Sequence, residues 1–154
     1  MQLAHTDKAI YTSYGFYVLY SIILSSLAAA LTVYIAPGAA GSGIPELIGC
    51  LNGVKYPKLL AKRVLVVKVI GVILAVSGTL CLGKEGPLAH IGAIAAIVCL
   101  EAPLACLAQF QTDVRKREII AAGVSAGVSV AFGAPIGGAL FAYEMSTPNT
   151  FWTF

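Results

Sequence analysis

The sequence predicts an all-α integral membrane protein, a bundle of tilted and broken helices, on three observations. Charged residues make up 11% of the 154 residues and hydrophobic ones 58%, with a mean hydropathy of +0.87. A soluble domain carries roughly 25% charge, so this chain cannot cover a water-facing surface. Long apolar runs recur along it, and glycine–proline breaks recur between them. Each break is followed by an apolar run too short to cross a hydrocarbon core of about 30 Å.

The first element is the clearest. No charged residue occurs from Ala9 to Pro45, and Phe16 to Ile35 supplies a spanning helix. Tyr11, Tyr14, Tyr17 and Tyr34 suit its interfacial ends. Pro37-Gly38 ends it. The run Ala39 to Glu46 that follows has no hydrophobic periodicity and cannot continue a helix. Leu47 to Val54 reads as a short half-helix with Pro45 in its first turn and Glu46 near its positive end. Lys55 to Arg63 is a basic connector, and Val64 to Leu82 a second spanning helix interrupted by Lys68. The break Gly83-Lys84-Glu85-Gly86-Pro87 then precedes a short helix, Leu88 to Leu100, and a further apolar turn, Leu104 to Phe110. After the polar run Gln111 to Glu118, Ile119 to Phe132 carries Gly123-x-x-x-Gly127, a spacing that admits close helix crossing. A third break, Gly133 to Gly138, leads into a short helix from Ala139 to Tyr143, ended by Glu144.

The two basic clusters, Lys55 to Arg63 and Arg115 to Arg117, suit loops on one side of a membrane. The segments Val64–Leu82 and Leu88–Leu100 would then run out and back. A net charge of +3 gives no argument for nucleic acid. Cys50, Cys81, Cys99 and Cys106 show no metal-ligand spacing and read as small hydrophobes packed in helices. The N-terminus has no signal-peptide pattern, and the abrupt apolar end suggests a fragment, a single partial domain over 1–154. No Ser/His/Asp set points to an enzyme. Gly78 to Lys84 matches half of a nucleotide-binding loop, but Glu85 stands where a magnesium-binding Ser or Thr is required.

The breaks carry the functional signal. Non-helical backbone at membrane depth must line a cavity or be buried in protein. A helix N-terminus offers free N–H groups and about half a positive charge, and glycines let an anion approach. Partial charges suit conduction, because a full cation would hold an anion too tightly to release it. A single break reads as an ordinary loop. Three together, with Ser42 adding a hydroxyl donor, read as helix ends aimed at a common anion site. Glu85 resembles an anion in charge; it could occupy the anion's place, swing aside and take up a proton. Its competing reading is a loop carboxylate paired with Lys84. Lys68 either snorkels or faces the aqueous path. His90 reads as packed or hydrogen-bonded, and Ser125 and Ser129 as packing positions. A structural or assembly segment with no ion site of its own is the alternative from another class.

Gly41-Ser42-Gly43-Ile44-Pro45-Glu46, Gly83-Lys84-Glu85-Gly86-Pro87 and Ala131-Phe132-Gly133-Ala134-Pro135-Ile136-Gly137-Gly138 occur in this order. The chain resembles the CLC family of chloride channels and chloride/proton exchangers, in its eukaryotic form, from about Phe16 to Glu144. The resemblance implies voltage-dependent chloride transport without a cofactor, in an organelle or plasma membrane, by a homodimer. It implies chloride binding at Ser42, Gly43, Ile44 and Gly86, and a gating role for Glu85. Exchangers of the family commonly carry two adjacent glutamates after the third motif, the second being the internal proton acceptor. Here the pair is Glu144-Met145, so that position is apolar, as in the family's channels. The family's second inverted half, with its own helix end and a tyrosine at the central ion, has no counterpart in these residues.

Overall fold

The computed structural model describes residues 2–56, 58–101 and 112–146. Leu104 to Phe110 and Cys106 lie outside them. The described elements are α1 (Gln2–Tyr34), a 3-10 turn (Pro37–Ala39), α2 (Ile44–Leu51), α3 (Lys62–Ser77), α4 (Glu85–Leu100), α5 (Asp113–Phe132) and α6 (Pro135–Ser146). All regular structure among the described residues is helical, as the sequence predicts.

The breaks fall where glycine and proline put them, but the helices claim more of each motif than expected. α4 starts at Glu85 and α6 at Pro135. The first N–H groups of a helix have no intrahelical partner, so proline in the first turn removes nothing. The third break therefore shrinks to Gly133-Ala134, and α6 runs for 12 residues. α5 likewise begins at Asp113 and absorbs the basic run into its first turns. α3 is shorter than expected: it ends at Ser77, with Gly78 as its cap, and Thr79 adopts a left-handed φ of 57°. Its 16 residues span only about 24 Å. Among the described residues, one helix has the length and hydropathy to cross a membrane by itself, Ile10–Tyr34, with a mean hydropathy of 2.0.

The core forms around α4. Gly92 of α4 meets Gly123 of α5 backbone to backbone, and Gly127 rests on the Leu88 carbonyl, so the spacing expected to allow close crossing does so. Leu47, Leu51, Ala89, Ala93, Ile120, Val124, Val128 and Met145 form one buried cluster there. Ser129 donates to the Ser125 carbonyl at 2.7 Å, and Gly138 of α6 packs against both serines, confirming them as packing positions. A second cluster joins the 3-10 turn to α3 through Ala36, Ala39, Val64 and Val67, closed by Ile94.

Three contacts orient the bundle. Lys62, opening α3, pairs with Glu101, closing α4, at 3.4 Å. Lys55 lies 3.7 Å from Asp113, and a side chain at Gly53 would meet the Arg117 guanidinium at 3.3 Å. Both basic clusters therefore lie at one end, and α3 and α4 run out and back. The cysteines are less packed than expected: Cys50 is half-buried, whereas Cys81 and Cys99 are exposed. Cys81 falls outside a helix because α3 stops early.

Candidate anion site

The first break is shaped by one backbone turn. Gly43 precedes α2 with φ +81°, a conformation that side chains with a Cβ resist. It is buried, and the His90 ring occupies the space a Cβ would need. The turn points Ser42 along the start of α2, where its Oγ accepts from the Ile44 N–H at 3.3 Å. The helix ladder of α2 begins only at Leu47, whose N–H donates to the Gly43 carbonyl.

The second break meets the first. A Cβ on Gly86 would lie 2.7 Å from the Ser42 Cβ and 3.5 Å from Cδ1 of Ile44, so the Ser42 turn rests on the first turn of α4. There the ladder begins at Leu88, which donates to the Lys84 carbonyl at 3.0 Å. Ser42, Gly43, Ile44 and Gly86 are thus brought together, and two helix N-termini converge. Glu85 is the first residue of α4 and half-buried. Its carboxylate folds back over Gly83, with Oε2 standing 2.6 Å from where a Gly83 Cβ would be. Among the described residues it is not paired with Lys84; the ion pairs there are Lys55–Asp113, Lys62–Glu101 and Arg115–Glu118. A cavity of about 640 Å³ opens beside this junction, bounded by Ser42, Gly83, Pro87 and Lys68, with walls from α1 and α3.

Lys68 does not snorkel. It is 3% exposed, and its Nζ lies 2.8 Å from Nδ1 of the fully buried His90. Nε2 of His90 is 3.2 Å from the Leu59 carbonyl. Glu46, in the first turn of α2, has a buried Oε2 with no hydrogen-bond partner. His90 is packed and hydrogen-bonded, as the sequence predicts, whereas its partner Lys68 and the burial of Glu46 are not legible in the pattern. The available signal was that each is an ionisable group on an apolar run, which calls for a partner.

The third break stays apart. No atom lies within 4 Å of a Cβ built on Gly133, Ile136 is 78% exposed, and no residue from 133 to 138 lines the cavity. The expectation that three helix ends share one point therefore holds for two; the third is spent on packing α6 against α5. Met145 is buried among Leu47, Val124 and Val128.

A family model for the voltage gated chloride channel matches residues 23–153. The chain belongs to this family. It is 44% identical over 133 residues to the H(+)/Cl(-) exchange transporter 7 of Bos taurus, covering 82% of this chain and 16% of that protein. It is 44% identical over 143 residues to the H(+)/Cl(-) exchange transporter 5 of Homo sapiens, covering 90% and 17%. This CLC chain therefore spans less than a fifth of the length of the curated relatives it matches, and its all-helical fold agrees with membership.

Proposed function

We propose that this chain supplies part of the chloride path of an integral membrane CLC transporter, binding the anion where the N-terminal turns of α2 and α4 meet. The observation that carries this reading is the seating of Ser42 on Gly86 beside the cavity. Two sets of N–H groups and a hydroxyl there offer partial positive charge without a full cation at the contact. Glu85, on a glycine-flanked turn at the same place, is the proposed gate, and membrane voltage would act on that charge and on the chloride it displaces. The likeness to proteins named H(+)/Cl(-) exchange transporters supports proton-coupled exchange; a homodimer in the full-length protein is part of the proposal, as the family resemblance implies.

The test is chloride flux by the full-length protein. Glu85→Ala should abolish proton coupling or voltage gating while chloride still passes. Unchanged coupling and gating would remove Glu85 from the mechanism. One observation favours a second reading, an uncoupled channel: Met145, at the position of the family's inner proton glutamate, is sealed in an apolar cluster. Chloride gradients that fail to move protons uphill would decide for the channel.

A further inference from the structure

Resting on the chloride-site reading, we propose that His90 is a positioning residue that holds the Lys68 ammonium back from the anion path and props the Ser42 turn. Lys68 borders the cavity that Ser42 and Pro87 also border, so its charge lies within reach of an anion there. A lysine ammonium has three donors and no acceptor. Its 2.8 Å bond to His90 Nδ1 therefore makes that nitrogen the acceptor and leaves the ring proton on Nε2, facing the Leu59 carbonyl at 3.2 Å. Both ring nitrogens are used, so the ring has one orientation. In that orientation it packs on Gly43, the residue whose left-handed turn aims Ser42. One buried imidazole thus links the long-range charge of the site to the local turn that forms it. Glu46, in the first turn of α2 and close in sequence to Gly43, adds a further buried polar atom, its Oε2 having no hydrogen-bond partner.

Lysine and histidine therefore act as a unit. With the acceptor removed, the ammonium is free to turn toward the cavity, where it would bind chloride more tightly and release it more slowly. In the full-length protein, His90→Leu should raise apparent chloride affinity about fivefold, by moving a unit charge a few ångströms closer. His90→Gln should stay within about twofold of wild type, since its amide can accept from Lys68 and donate to Leu59. In a Lys68→Met background, His90→Leu should no longer raise affinity, a non-additivity that plain structural damage would not give. Should His90→Leu fail to fold, His90→Phe, which keeps a flat ring but offers no acceptor to Lys68, takes its place with the same expectation. Unchanged or weakened chloride binding in the leucine variant, a glutamine variant as altered as leucine, or additive effects with Lys68→Met would each overturn the proposal. A wild-type protein that carries no chloride would instead overturn the chloride-site reading.

Discussion

The first and third glycine–proline breaks look alike in sequence and are put to opposite uses. At the first, Gly43 is buried, its φ is +81° and a histidine ring fills the space above it. At the third, Gly133 also has a left-handed φ, +64°, but nothing lies near it. Both turns need the backbone freedom of glycine. Only the first also needs its missing side chain, because another element comes down onto it. A break becomes a candidate site through what is packed upon it, and the local chain conformation alone does not distinguish the two.

Alanine substitutions along the two regions separate these contributions. Gly43→Ala should be the most damaging, combining a strained φ of about 1–3 kcal/mol with displacement of His90. Chloride flux by the full-length protein should fall about fivefold or more if that cost falls on the conducting conformation, and flux near wild type would show that the His90 contact is soft. Gly86→Ala keeps a relaxed backbone but pushes on the Ser42 Cβ. A cost of about 1–2 kcal/mol should appear in thermal unfolding, with chloride affinity weakened. Gly133→Ala should cost about 1 kcal/mol of stability from its left-handed backbone and leave chloride affinity unaltered. If affinity shifts there as much as at Gly86, the separation of the breaks fails. Gly137→Ala, in α6 with ordinary space around it, should raise stability by about 0.5 kcal/mol through helix propensity. A loss there would show that the face of α6 is packed in the full-length protein.

The legible part of the fold was whatever depends on neighbours in sequence. Hydropathy located α1, and Pro37, Gly83 and Gly133 located the breaks. The spacing of Gly123 and Gly127 announced a close crossing, and the two basic clusters announced a shared end. The starts of α4 and α6 lie earlier than the pattern predicts, because Pro87 and Pro135 stand in first turns that tolerate them, as Pro45 does in α2. The end of α3 was invisible because Leu80 and Leu82 continue the apolar run beyond the left-handed Thr79. The joining of Ser42 to Gly86 follows motif order, but the link between Lys68 and His90 crosses from one helix to another, and no periodicity encodes it. Nor could the pattern show that the third break lies apart from the first two.

The crossing of Gly92 on Gly123 and Gly127 has a mechanical consequence. Helices that touch through side chains can trade one interlocking for another and slip by a turn. α4 rests on α5 main chain against main chain at Gly92, Gly123 and Gly127, and the side chains flanking that contact on α4, Ala89, Ala93 and Ala96, are short ones. Its axial position is fixed in the manner of a bearing seat, and with it the height of Gly86 beneath Ser42. Under the proposed mechanism, motion at this site would fall to the carboxylate of Glu85 in the first turn of α4, while the helix that carries it stands still.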